Sequence, residues 1–229
     1  MELVRVIAAI HRLISLKEIR LPDEYFPAHL SVALIDAVFP SGDAPGAPVP
    51  SCAERYCRHF GFESTRHDPW EPPPVEEQET LGDLVGRYEE LGPERMRDEV
   101  FQVREVVPGT NVDRAECVLA AARQLQANGI DFLQDLSARS RPEVEGILKR
   151  SPGCDESMLR RLLTYTGEDD FVWGGEPVRT FVADAVGRAS ITAEEVEELV
   201  RSAAHELILS PRFLDREIWR FGASPGGKA

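Results

Sequence analysis

The residues best equipped for chemistry lie between Ser151 and Val182, in SPGCDESMLRRLLTYTGEDDFVWGGEPVRTFV. Pro152-Gly153 reads as a tight turn between two helices, the second beginning at about Asp155. The unpaired backbone N–H groups at the start of that second helix, helped by its dipole, form a site for one phosphate. Arg139, Arg141, Lys149, Arg150, Arg160 and Arg161 gather around the turn, diluted by Glu143, Glu145, Asp155 and Glu156. Gly153, Lys149, Arg150, Arg160 and Arg161 are therefore the candidate polyanion-binding set, with an ordinary mixed-charge helical surface as the alternative. Further along, Glu168, Asp169, Asp170 and Glu176 flank two glycines, Gly174 and Gly175. Two readings are open for these acids, a displaced catalytic carboxylate such as Glu176 or an exposed acidic loop. Trp173, beside the glycines, either stacks on a planar ligand or plugs the core.

The elements that must hold these residues are helical. ELVRVIAAIHRLISL places apolar residues at Leu3, Val4, Ile7, Ile10, Leu13 and Ile14, the three-and-four spacing of an amphipathic helix. HLSVALIDAVF, between Pro27 and Pro40, is apolar enough for a buried helix, and CAERYCRHFGF suits a short one. Helices also fit TLGDLVGRYEELGPERMRDEVF, with Thr80 and Asp83 as a capping box, and NVDRAECVLAAARQLQANG, capped by Asn111 and stopped at Asn128-Gly129. IDFLQDLSA, RPEVEGILKRS and TAEEVEELVRSAAHELI, the last with Thr192 as N-cap, complete the set. Residues 40–50, PSGDAPGAPVP, are a loop, and the acidic, proline-rich 67–79 stretch is expected to be a surface loop or flexible linker. Alternation with period two is nearly absent, so the expected class is all-α.

Composition narrows the function classes. A formal net charge of -14 repels polyanions at long range, so any nucleic-acid contact needs a locally basic patch. The four cysteines, Cys52, Cys57, Cys117 and Cys154, have neither zinc-knuckle nor disulfide-framework spacing and read as reduced thiols. The five histidines show no ligand spacing, so no metal site is expected. Charges interrupt Met1 to Leu21, which excludes a membrane span and a secretory signal there and makes a cytoplasmic location the expectation.

Several segments, in order, resemble the endonuclease III-like DNA glycosylases, the helix-hairpin-helix (HhH-GPD) superfamily. Ser151, Pro152, Gly153 and Cys154 are similar to the first half of its hairpin motif, L-P-G-V-G-x-K-T-A. Asp155 stands at the second glycine, and Ser157 stands where bifunctional members carry the Schiff-base lysine. Asn111, Ala115, Glu116 and Arg123 resemble an upstream helix, FVWGGEPVRTFV resembles the segment bearing the catalytic aspartate, and Asp215, Trp219 and Gly222 resemble a penultimate helix. The resemblance covers roughly residues 80–222. It implies a two-lobed all-α fold: residues 1–66 with 190–229 form one helical lobe, 67–79 a connecting loop, and 80–189 a central lobe with the hairpin, with DNA across the cleft.

Glycosidic cleavage builds positive charge on the sugar, which the family's carboxylate stabilises and, in bifunctional members, an amine attacks. Alignment on Arg179 or Thr180 puts the aspartate position at Gly174 or Gly175, and glycine does neither job. No cysteine follows Cys154, so no iron–sulfur cluster is expected. The resemblance thus implies a glycosylase-like, DNA-repair-like protein that binds DNA without lyase activity, with Trp173 as the base-stacking candidate. Two alternatives stand beside it: a non-enzymatic scaffold for protein partners, and a monofunctional glycosylase using Glu176.

Overall fold

The computed structural model describes residues 1–16, 21, 25–39, 50–68, 71–167 and 170–223. The expected 40–50 loop lies, but for residue 50, outside them. The chain is helical throughout the described residues, in the order α1 (Glu2–Leu13), α2 (Leu30–Val38), α3 (Cys52–Phe60), α4 (Leu81–Leu91), a short α5 (Pro93–Arg95) running into a π-helical turn (Met96–Phe101), α6 (Arg114–Ala127), α7 (Leu133–Ser137), α8 (Arg141–Leu148), α9 (Glu156–Thr166), α10 (Glu176–Val186), α11 (Ala193–Glu206) and α12 (Pro211–Ala223). Extended pairing among these residues amounts to two isolated bridges, Pro27 with Thr65 and Val106 with Asp113. The chain is all-α.

It divides into two compact units, residues 1–21 with 167–229 and residues 22–166. These boundaries differ from the expected ones. Residues 22–66 pack with the central helices and 167–189 with the termini. The reason lies in α2 and α10. Every residue of α2 is buried, so it must sit inside the larger unit, where it packs on α3, α4, α6 and α9. A helix apolar on all sides has no solvent face with which to cover a smaller core. The α10 stripe of Val178, Phe181, Val182 and Val186 instead joins Val6, Ile10, Val196, Val200, Leu214 and Ile218 in the core of the terminal unit.

In the central unit, a buried polar cluster ties the segment before α4 to the core. Glu79 accepts a hydrogen bond from the Tyr56 hydroxyl at 2.7 Å and another from Ser31, and pairs with Arg87 at 2.8 Å. Its own N–H donates to His29 Nδ1 at 2.9 Å. Arg87 also lies over the Phe60 ring, 3.9 Å from its centroid. Gln78 donates to the Pro73 carbonyl and to Gln134 Oε1, each at 2.7 Å. The expected flexible linker is therefore pinned at its end: Gln78 and Glu79 are buried, and Val75–Glu77 forms a 3-10 turn.

Capping follows the sequence in part. Thr80 with Asp83 and Thr192 with Glu195 close capping boxes. Asn111, however, is not the cap of α6. Asp113 is, its side chain accepting from Ala115 N at 2.8 Å, because the Val106–Asp113 bridge delays the helix start.

Candidate functional site

Two places could carry function, one in each unit. In the central unit, α8 ends at Leu148 and α9 begins at Glu156, so a short turn joins two helices where Pro152-Gly153 requires one. Gly153 has φ +80°, the left-handed region that favours glycine. A Cβ on it would sit 3.1 Å from Val107 Cγ2 and 3.2 Å from both Cys117 Sγ and Val112 Cγ1, so the turn is seated tightly on α6 and the loop before it.

The start of α9 is already occupied. Asp155 Oδ1 accepts from Met158 N at 2.7 Å, which puts a carboxylate where a phosphate would bind. A capping carboxylate satisfies an orphan N–H and complements the dipole, and by the same charge repels an anion. Several of the basic side chains have local partners as well. Lys149 pairs with Glu145 at 2.7 Å, and Arg150 Nε donates to the Gly146 carbonyl. Arg161 turns inward, donating from Nε to the Ala37 carbonyl at 2.6 Å and from Nη1 to Ser157 Oγ at 2.7 Å. Arg160 is half-buried. The expected basic cluster is thus not a common surface of free cations, because Arg161 serves to hold α9 against the end of α2.

Beside this turn lies a pocket of about 190 Å³, lined among others by Arg114, Cys117, Gly153, Asp155, Ser157 and Arg161. Cys117 lines it, and the Cys117 and Cys154 sulfurs are 3.9 Å apart. Sequence reading missed this pair, since the cysteines are 37 residues apart and only the seating of Gly153 on α6 brings them together.

In the terminal unit, Gly174 has φ +60°, and its N–H donates to Asp215 Oδ1 of α12 at 3.0 Å. A carboxylate therefore does reach the expected acid position, but Asp215 is 2% exposed and bonded to backbone. Gly175 is the N-cap of α10, without a side-chain cap. Trp173 is 3% exposed, so it plugs the core and presents no face for stacking, a correction to the base-stacking expectation. Glu168 and Asp169 lie outside the described residues, and Asp170 pairs with Arg201 at 3.0 Å. Glu176, at the first position of α10, is exposed and pairs with Arg179 at 2.8 Å.

Glu176 also lines a groove of about 810 Å³ formed by α1, α10 and α12. Its walls are apolar, from Ala9, Leu13, Pro177, Phe181, Ala185 and Phe221, and its rim carries Arg12, Glu176 and Asp184. Gly222 makes this shape possible. A Cβ there would come within 3.0 Å of Pro177 Cβ and 3.2 Å of the Pro177 carbonyl oxygen, so only glycine lets α12 approach the start of α10. The sequence signal for the groove was present in Gly222 and the apolar run of α10, but the partner helix α1 is more than 150 residues away in sequence.

A family model described as a domain of unknown function (DUF8548) matches residues 4–223. The chain belongs to this family. No curated protein and no solved structure matches it. The DUF8548 match spans both units, so the groove and the turn are parts of one family domain. Among the described residues, no helix is long and apolar enough to cross a membrane, and no cluster of three or more His, Cys, Asp or Glu could hold a metal ion.

Proposed function

We propose that this chain is a non-catalytic binding protein on a glycosylase-like all-α plan, and that its binding surface is the α1/α10/α12 groove. The observation that carries this reading is the fate of the acid position. Gly174 stands there in a left-handed conformation, and the carboxylate bonded to it, Asp215, is buried and serves the backbone. The glycosylase-like plan is supported by the terminal segments sharing one unit, the middle helices forming the other, and the short turn between α8 and α9. The same turn argues against DNA as the ligand, because Asp155 caps α9 with a carboxylate and Lys149 is paired with Glu145.

The groove favours a partner segment with apolar side chains next to lysine or arginine. Apolar walls give the area to bury, and among the lining residues Asp184 and Glu176, the latter shared with Arg179 from outside the lining, stand against Arg12 and set the sign of the complementary charge. A generic amphipathic Leu–Lys peptide tests this, followed by fluorescence anisotropy, with its Leu–Glu counterpart as control. The native protein is expected to bind the Leu–Lys peptide and not the Leu–Glu one. Thr180→Trp, which fills the groove from an exposed position without changing charge, is expected to abolish binding. Equal binding by the native protein and Thr180→Trp would reduce the effect to nonspecific attraction and remove the proposal.

A second reading, a monofunctional glycosylase, is favoured by one observation: Glu176 lines a groove large enough for an extruded nucleotide. Duplexes carrying a panel of damaged bases separate the two. Base release that disappears in Glu176→Gln would establish the enzyme and displace the binding reading.

A further inference from the structure

Of the four cysteines, two face each other and two do not. Cys52 and Cys57 are buried on α3, and burial pushes both thiols up, Cys57 to about 12. Cys117, on α6, and Cys154, in the turn after α8, have their sulfurs 3.9 Å apart. A disulfide needs about 2 Å between the sulfurs, so closing the gap takes a shift of roughly 2 Å. Cys154 is half-buried on a turn and Cys117 is fixed inside a helix, so the movement belongs to Cys154.

Access and charge come from the same pocket. Its volume of about 190 Å³ is several times the roughly 30 Å³ a water molecule occupies, so a small molecule of a few heavy atoms fits against Cys117. Arg114 and Arg161 line it together with Ser157, and Asp155 in the lining and Glu105, 3.3 Å from Arg114, are the opposing charges. The Cys117 thiol is held below its ordinary value, first by the hydrogen bond from Cys154 and then by Arg114 and Arg161, against burial and Asp155. The Cys154 thiol is held up, chiefly by its bond to Cys117, so of the two Cys117 gives up its proton more easily, and it is Cys117 that lines the pocket. This is the asymmetry of an attacking and a resolving thiol.

We propose that Cys117 and Cys154 form a redox-active dithiol, in which a small hydroperoxide entering the pocket oxidises Cys117 and Cys154 then closes a disulfide. In the first step the Cys117 thiolate attacks the distal peroxide oxygen. An S–O bond forms and the O–O bond breaks. The alkoxide, or hydroxide from hydrogen peroxide, leaves beside Arg114 and Arg161 and takes up, through solvent, the proton that the Cys117 thiol released. The sulfur loses two electrons to become the sulfenic acid, and the peroxide gains them. In the second step the Cys154 sulfur attacks the sulfenic sulfur, the S–S bond forms, and the hydroxyl departs with the Cys154 proton as water. A dithiol reductant reverses the sequence by thiol–disulfide exchange. The result is a covalent link between α6 and the α8–α9 turn.

The full-length protein treated with hydrogen peroxide, then alkylated under denaturing conditions and mapped by mass spectrometry, tests this. The free thiols are expected to fall from the four in the sequence by one pair, with a Cys117–Cys154 cross-linked peptide that dithiothreitol removes. Cys154→Ser, a change at a half-buried turn residue, is expected to stop at a sulfenic acid on Cys117 that dimedone captures. Cys117 is expected to react at least about tenfold faster than Cys52 and Cys57, whose thiols burial holds up despite Arg55 beside the first and Arg87 near the second. Persistence of all four thiols, earlier reaction of Cys52 or Cys57, or oxidation of Cys117 without the cross-link would each overturn the proposal.

Discussion

His29 shows how a single buried ring couples this fold to pH. The ring stands edge-on to Phe62, with centroids 4.9 Å apart, and its Nδ1 accepts from Glu79 N, which requires that nitrogen to be unprotonated. Burial holds its pKa below 6.5, and the Arg87 charge adds to this against the opposing pull of the Glu63 backbone. A lowered folded value means that the unfolded chain takes up the proton first as pH falls. The stabilisation is therefore complete above 6.5 and is lost as pH falls from there through the folded value, at about 1.4 kcal/mol per unit between the two. Glu79 slopes the other way, since burial raises its value above 4.5 despite Ser31, Tyr56 and Arg87, so ionising it costs stability as pH rises. His29→Asn isolates the first effect, because the Asn Oδ1 accepts the Glu79 N–H but does not titrate, and Glu79 is common to both proteins. In urea titrations the native protein is expected to lose stability relative to His29→Asn on acidification below 6.5, with a constant difference above it. Parallel curves across that range would show that His29 is not the titrating group.

Asp155 plays the corresponding part for a whole element, since its side chain rather than an anion closes the first turn of α9. Asp155→Ala is expected to cost about 1 kcal/mol, the ordinary loss of an N-terminal cap, whereas Asp155→Asn keeps the acceptor and costs only a few tenths. Thermal melts of the two variants check the order. Asp155→Asn is also expected to leave duplex DNA unbound, and salt-sensitive binding by that variant would restore the phosphate-clamp role of the hairpin. The helices themselves were largely legible, because apolar spacing and capping residues are local. Thr80 and Thr192 cap where a sequence reading places them. The errors fall where tertiary contacts decide. Val4 of α1 is 69% exposed while Val6 is buried, since the α1 face is selected by α10 and α11 across the unit and not by its own periodicity. Trp173 and Arg161 each had a functional and a structural reading in the sequence. Burial settles Trp173, and the bond to the Ala37 carbonyl settles Arg161. Neither is encoded in local spacing, and the same holds for the Cys117–Cys154 approach.

At the scale of the molecule, the two units differ in how the chain builds them. Residues 22–166 are continuous and carry their own core, centred on the fully buried α2 and the Glu79 cluster. The terminal unit is discontinuous: α1 and the residue after it supply Val6, Ala9, Ile10 and Ile14 to a core otherwise built from residues after 167. Burying a Val or Ile side chain contributes roughly 1.5–3 kcal/mol, so removing α1 forfeits several kcal/mol and also bares the apolar faces of α10 and α11. That loss is comparable to the total stability of a small domain. Expressed alone, residues 22–166 are expected to keep a helical circular dichroism spectrum and melt in one cooperative transition, whereas residues 167–229 alone are expected to show little helix and no cooperative melt. Adding a peptide of residues 1–21 to the second fragment is expected to restore helicity, because α1 replaces the missing side of the core rather than serving as a tether. Failure of that complementation, together with a folded 167–229 fragment, would mean that α10, α11 and α12 hold together without α1 and that the groove beside Phe181 and Phe221 is not closed by it.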